Sequence, residues 1–416
     1  MLRSPRLGAC HIIIAFISLL AAGAAAAPGG DAAFDAWVEQ IRSEAAQRGL
    51  TSPAVQVALA DVQHVDRVIE LDRRQPEITQ TFWRYLDARV TDARIAQGQA
   101  YLTDYNPLLS DISARWQVPK QIIVALWALE SDFGRVQGDF GVVSSVATLA
   151  YDSRRSGFFR QQLFAALELI DRGDLSSDVR GSWAGAIGQP QFMPTSIQAY
   201  AVDYDGDGRR DLCGSLGDVF ASAANFLHAS GWNGRTGWGE EVLLPAGFDY
   251  LESGLEVDKP VRVWRMMGVR RADGAELADV DQSAALLLPA GVAGPAFLVR
   301  RNFRVILKWN NSLLYALAVG HLADRIAGRG PLLTQRWGED VPLTRYDVVE
   351  LQARLYALGF EPGMPTAWSA RRHAAPSGCT SRVWPCRPTD MRIPGCCSSC
   401  AGNRPPNRRN KRGRWG

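Results

Sequence analysis

Residues 122–129 (IIVALWAL) are apolar on every side and run directly into Glu130. Eight residues are too few to cross a membrane. Pro119 just before the run suits a first helical turn, and Gly134 just after it suits a helix stop. The pattern therefore predicts a helix buried within a protein core, around which other elements must pack. A carboxylate at the open end of such a helix is held rigidly and is partly desolvated. Desolvation disfavours the charged form and raises a carboxyl pKa, which is how a general acid is made to work near neutral pH. On this segment alone, Glu130 reads equally well as the first polar residue after a core helix.

The chain has 416 residues and is 47% hydrophobic, enough for a sizeable core and for two or three domains. Residues 1–26 read as a secretory signal: Arg3 and Arg6, then a short apolar core over 11–20, then Ala24, Ala25 and Ala26 for cleavage. Five of the seven cysteines fall between Cys379 and Cys400, and only Cys213 lies in the exported body before them. That body has no internal disulfide framework. Residues 364–416 hold eleven Lys/Arg, one acid, seven prolines and five cysteines. This excess of ten positive charges is larger than the chain's net +3, so the rest of the chain is acidic. The tail has no periodicity and reads as disordered or frame-shifted. The basic balance of the whole chain is thus no sign of a nucleic-acid partner.

Helical spacing recurs over residues 31–118, 140–172, 218–231 and 302–326. Residues 240–300 alternate short apolar runs with proline-broken turns and read as a few short strands. Residues 331–342 read as a linker and 343–360 as one amphipathic helix. The block from Gly181 to Thr195 (GSWAGAIGQPQFMPT) is rich in small residues, which allow close approach of backbone to backbone or to ligand. Within it, Ser182 and Gln191 offer hydrogen bonds, and Phe192 and Met193 offer apolar contact, a combination that suits a sugar. From composition alone, tight packing is the favoured account of the small residues. Asp203, Asp205 and Asp207, with Gly208, match the first half of an EF-hand loop, and Asp211 stands at its ninth position. The twelfth position, normally a bidentate Glu, is Gly214; Asp218 lies four residues further on.

These motifs occur in a specific order: the segment ending in Glu130 and Gly134, the pair Arg154-Arg155, the GSWAGA…GQPQFMP block, the DYDGDG loop, and Asn225-Phe226-Leu227 with Gly231-Trp232. In this the chain resembles the soluble lytic transglycosylases of the B type, which cleave bacterial peptidoglycan. The resemblance spans roughly residues 34–329. It implies a mainly α fold: a lysozyme-like helical catalytic core over 27–330 with an N-terminal helical region, an EF-hand-like loop and a few short strands. It implies that Glu130 is a single acid/base and that Ser182, Gln191, Phe192, Met193, Asn310 and Tyr315 meet the substrate. It also implies that Arg154 and Arg155 meet the carboxylates of the wall. Asn310 and Tyr315 lie in WNNSLLY, where the family usually has Tyr and this chain has Trp309. The resemblance further implies a structural Ca2+ held by Asp203, Asp205, Asp207 and the backbone carbonyl of Arg209, with no cofactor required for the chemistry.

The expected reaction cuts the MurNAc-β-1,4-GlcNAc bond without water and leaves a 1,6-anhydro sugar. The expected setting is the periplasm of a Gram-negative bacterium. The expected partners are peptidoglycan glycan strands, with no nucleic acid, no membrane span after signal cleavage, and a monomeric state. Residues 343–363 resemble the first helix and turn of a peptidoglycan-binding domain. Two further readings stay open at this point: a non-catalytic peptidoglycan-binding scaffold, and a water-using muramidase on the same fold.

Overall fold

The computed structural model describes residues 32–73, 80–336 and 341–360. The signal segment and the cysteine-rich tail lie outside them. The first of two compact units ends at Leu343. Its helices are α1 (Ala32–Gln47), α2 (Pro53–Ala60), α3 (Asp66–Arg73), α4 (Phe82–Arg89), α5 (Asp92–Asp104), α6 (Asn106–Trp116), α7 (Lys120–Ser131), α8 (Val142–Tyr151), α9 (Ser156–Asp171), α10 (Pro194–Tyr200), α11 (Leu216–Ala229), α12 (Val261–Met266), α13 (Arg301–Trp309) and α14 (Leu313–Ile326). Its strands are β1 (Phe140–Gly141), β2 (Arg180–Gly181), β3 (Gly239–Leu243), β4 (Asp258–Pro260), β5 (Arg270–Arg271), β6 (Ser283–Leu287) and β7 (Ala296–Arg300). The fold is mainly α, as the sequence predicts.

Helix α7 is the centre of the unit. Residues 122–128 are all buried, and the helix packs against α5, α6, α11 and α14. An all-round apolar surface needs neighbours on every side, and these helices supply them. The stop differs in detail from the sequence expectation. Asp132 is already left-handed at φ 51°, followed by Phe133 at 61° and Gly134 at 82°. Two non-glycine residues thus turn the chain before the glycine does. Asp132 N–H bonds back to Ala128 O at 3.2 Å, and Phe133 N–H to Trp127 O at 3.2 Å. This closes the last turn and leaves Glu130 at its rim.

Residues 302–326 read as one helical pattern but form two helices. Asn310 ends α13 in an extended conformation, and the Ser312 hydroxyl caps α14 by accepting the Tyr315 N–H at 3.3 Å. The break matters because Trp309 ends one helix and Tyr315 lies in the first turn of the other.

The region of 239–300 forms a five-stranded sheet in the order β4-β6-β7-β3-β5, with antiparallel pairing throughout. Strands β6 and β7 are buried on both faces. Ala285, Leu287, Phe297 and Val299 face the helical core. Ala284, Leu286, Ala296 and Leu298 face a smaller core with Val261 and Trp264 of α12. Side chains alternate with period two, yet both faces are apolar, so the runs do not alternate in hydropathy. The second unit contains one described helix, α15 (Arg345–Ala357), opened by a capping box between Thr344 and Asp347.

Candidate active site

Glu130 sits half-buried at the end of α7 and receives two side-chain donors on the same oxygen. Trp309 Nε1–H donates to Glu130 Oε1 at 2.8 Å. The Tyr315 hydroxyl donates to the same Oε1. Burial and the neighbouring Glu130 charge push the Tyr315 pKa well above its ordinary value. The phenol therefore stays protonated and remains a donor throughout the working pH range. The indole of Trp309 is in turn held by aromatic rings, Phe226 at 4.8 Å and Phe192 at 5.1 Å between centroids. The donor that orients the acid is thus fixed from behind by packing.

Asp132, the nearest acid in sequence, is engaged elsewhere. Arg94 Nη2 lies 3.2 Å from one of its oxygens and Arg135 Nη2 2.8 Å from the other. Burial by itself would raise its pKa, but the hydrogen bonds and charges of Arg135 and Arg94 outweigh this and hold it below the usual carboxylate value. Its role is to lock the left-handed turn that ends α7.

The small-residue block packs closely, and Gln189 ties it to α7. β1 pairs with β2, so that Phe140 faces Gly181, and Gly181 and Phe192 each bridge to Ile187. A Cβ on Gly181 would come within 2.2 Å of the Ala186 carbonyl oxygen. One on Gly134 would come within 2.4 Å of Gln189 Oε1. The glycines are needed for close approach of chain to chain, the packing alternative raised by the sequence. Ser182 Oγ accepts the Ala186 N–H at 3.0 Å, and Gln191, left-handed at φ 50°, donates to Gln137 O at 3.0 Å and Gly188 O at 2.9 Å. These bonds fix the loop on which both side chains stand, and both residues are half-buried.

Two expectations for site residues, those for Phe192 and for the Arg154-Arg155 pair, differ from the structure. Phe192 is only 3% exposed, so its ring supports Trp309 instead of presenting a face to a sugar. Met193 is half-buried and caps the start of α10. Arg154 and Arg155 both pair with the buried carboxylate of Asp72, Arg154 at 2.6 Å. A buried acid needs cationic partners, and these two supply them. Asn310 is half-buried at the break between α13 and α14, and its carbonyl accepts the Ser312 N–H at 2.8 Å.

One residue escaped the sequence reading. Gln189 is buried at 7% and joins α7 to the small-residue block: its Oε1 accepts Trp127 Nε1–H at 2.6 Å, and its Nε2 donates to Cys213 O at 2.8 Å. A Gln within a Gly/Pro-rich loop, with Gln191 two residues on, carries no local sign that it will be buried.

In the acidic loop, carboxylate oxygens of Asp203, Asp205 and Asp218 lie within 4.8 Å of one another. Asp207 is not in this group; its Oδ1 accepts the backbone N–H of Arg209 at 2.8 Å. Asp218, in the first turn of α11, is 1% exposed, and its oxygens accept N–H bonds from Tyr204 at 2.8 Å and Asp211 at 2.7 Å. Burial raises its pKa despite those two bonds, and the charges of Asp205 and Asp203 raise it further. Three gathered carboxylates form an oxygen-only set of the kind a hard divalent cation takes.

A model of the transglycosylase SLT domain matches residues 33–324. The membrane-bound lytic murein transglycosylase B of Escherichia coli (strain K12) is 28% identical over 313 residues, which cover 72% of this chain and 85% of that protein. SltB3 from Pseudomonas aeruginosa, solved in complex with NAG-anhNAM-pentapeptide, is 47% identical, with a TM-score of 0.77 over 80% of this chain and 89% of that one. The Escherichia coli lytic transglycosylase SLT35, solved in complex with calcium, is 27% identical, with a TM-score of 0.60 over 72% of this chain and 95% of that one. The chain belongs to the transglycosylase SLT domain family and is a lytic transglycosylase of the B type.

Proposed function

We propose that this peptidoglycan lytic transglycosylase uses Glu130 as its sole acid and base. The observation that carries the reading is the convergence of Trp309 and Tyr315 on Glu130 Oε1 while Asp132 is held by two arginines. Glycosidases that hydrolyse commonly use two carboxylates on opposite sides of the bond. Here the neighbouring carboxylate is neutralised in place.

Glu130 first gives its proton to the oxygen linking MurNAc to GlcNAc, and the C1–O bond breaks. The 2-acetamido group supports the positive charge left on the sugar. Glu130, now a carboxylate, takes the proton of the C6 hydroxyl, whose oxygen closes on C1 to give the 1,6-anhydro product. No water enters, and the attack gains from being intramolecular. Tyr315 and Trp309 keep the carboxylate in one orientation in both halves of the cycle. Ser182, Gln191 and Asn310 are assigned to holding the sugar, with Met193 as an apolar neighbour. Mass spectrometry of digested cell wall tests the reading: anhydro-muropeptides support it, whereas reducing-end products or no products overturn it.

The acidic loop is assigned a structural Ca2+ bound by Asp203, Asp205 and Asp218, with Asp207 and Arg209 as loop residues that complete its turn. Calcium in the related SLT35 structure supports this. The ion serves the loop that leads into α11 and takes no part in the reaction. Export to the periplasm rests on the composition of residues 1–26. No helix among the described residues is long and apolar enough to cross a membrane. The working form is assigned as a monomer acting on glycan strands.

A further inference from the structure

Helix α13 carries a row of cations that the reaction above does not use. Arg301, Arg304 and Lys308 stand at i, i+3 and i+7, on one side of the helix. Its other side, with Asn302, Phe303, Val305 and Ile306, is buried. Among the described residues, none of the three cations has a carboxylate partner. Arg304 donates to the Leu255 carbonyl, Lys308 donates to the Ser230 carbonyl at 2.8 Å, and Arg301 makes no hydrogen bond or ion pair among the described residues. Like charges at this spacing repel, so the row costs stability unless an anion meets it.

Arg301 and Arg304 also line a cleft of about 260 Å³ between the start of α13 and the edge of the sheet. Arg300, Gln282 and Ser283 line it too, together with one acid, Asp258. Arg300 is already neutralised by Glu240. Two guanidinium groups with uncommitted charge, flanked by neutral donors, suit carboxylates.

The cleft is tied to the acid by α13 itself, which ends at Trp309. At about 1.5 Å per residue, Arg304 and Arg301 lie roughly 8 Å and 12 Å along the axis from Trp309. An extended peptide of five residues spans at most about 17 Å. A peptide attached to a sugar at Glu130 is therefore long enough to lay carboxylates along this row. The two arginines expected from sequence to serve that purpose, Arg154 and Arg155, are both paired with Asp72.

We propose that Arg301, Arg304 and Lys308 form a binding track for the carboxylates of the stem peptide on the muramyl residue being cut. The track rests on the assignment of Glu130 as the acid, since it needs the scissile sugar at the end of α13. Its contribution is to binding, and its charges act at KM.

The test compares stem-bearing glycan strands with the same strands stripped of peptide. For each enzyme the readout is the ratio of KM on stem-bearing strands to KM on stripped strands. In Arg301→Gln this ratio should rise at least fivefold over wild type, and in Arg301→Glu further still. Arg301 has no hydrogen bond or ion pair to lose among the described residues, so neither variant should disturb folding; an unchanged melting temperature verifies this. A ratio within twofold of wild type in both variants overturns the proposal. So does an equal loss on both substrates, which would make the row a general attractant for glycan. Failure of the underlying assignment looks different: wild type would then release no anhydro product from either substrate.

Discussion

Trp309 Nε1 lies 2.8 Å from Glu130 Oε1 across 179 residues of chain, and the indole is wedged between Phe192 and Phe226. The family usually carries a tyrosine here, and from sequence the change loses a hydroxyl. The structure shows what replaces it, because the indole N–H supplies the donor. Trp309→Phe keeps an aromatic ring and removes that donor. A hydrogen bond to a charged group is worth about 1.5–3 kcal/mol, so turnover should fall roughly 10- to 100-fold. Trp309→Tyr should retain more activity than Trp309→Phe. Steady-state rates with melting temperatures decide the matter, and a fully active Trp309→Phe would remove Trp309 from the role of orienting the acid.

His321, on the same helix as Tyr315, gives the enzyme an acid limit. Burial and the charge of Arg325 lower its pKa to about 4, from an ordinary 6.5. The unfolded chain binds this proton below about pH 6.5, whereas the folded chain resists it until about pH 4. Stability from the neutral imidazole is therefore complete above pH 6.5 and declines as pH falls, by at most about 3 kcal/mol. Melting temperature should drop between pH 6.5 and 4, and His321→Gln should flatten that slope. A slope unchanged by the substitution would show that other groups set the acid limit.

Calcium should stabilise the fold and leave the chemical step alone. The loop lacks the bidentate carboxylate at its twelfth position, so affinity should be on the order of 10⁻⁴–10⁻³ M. At ten times Kd the gain is about 1.4 kcal/mol. Asp218→Asn should abolish the calcium-induced rise in melting temperature. Loss of turnover in chelator with the fold intact would contradict a structural role. Submicromolar binding would show that Asp218 closes the loop more tightly than a missing twelfth ligand suggests.

The first compact unit runs to Leu343, past residue 330. A cut near Gly330 leaves every motif intact, yet Leu333 and Thr334 N–H groups donate to Glu241 at 2.7 and 2.8 Å, and Arg336 pairs with Asp87 at 2.7 Å. A chain ending at Leu343 should keep wild-type turnover of soluble muropeptides and its melting temperature. A chain ending at Gly330 should stay active and melt lower. Loss of small-substrate turnover in the chain ending at Leu343 would make the C-terminal unit part of the catalytic fold.

Much of the site was legible because its signals are local. An all-round apolar run that ends on Glu130 announces a buried helix with a carboxylate at its rim. Ser312, three residues before Tyr315, is an ordinary N-cap, but it lies inside a longer apolar pattern and was passed over. The sheet was hard to read because β6 and β7 are apolar on both faces, which hides the period of two. Asp72 and Gln189 were invisible for a different reason: their burial depends on partners far along the chain, Arg154 and Arg155 for one and Trp127 for the other. The family resemblance assigns Arg154 and Arg155 to the substrate, and nothing near them in sequence points instead to Asp72. Asp218 could be found, since it is the first acid after the expected end of the loop.

The central claim is that one carboxylate performs both proton transfers, and turnover of Glu130→Gln on isolated cell wall tests it most directly. The amide is nearly isosteric and should leave the melting temperature close to that of wild type. General acid/base catalysis contributes about 10²–10⁴ in rate, and a residue that serves both halves of the cycle should reach the upper end of that range or exceed it. A folded Glu130→Gln that releases anhydro-muropeptides at least about 10⁴-fold more slowly is the predicted result. A folded variant that keeps more than about a tenth of wild-type turnover, a loss far short of any acid/base contribution, would contradict the assignment.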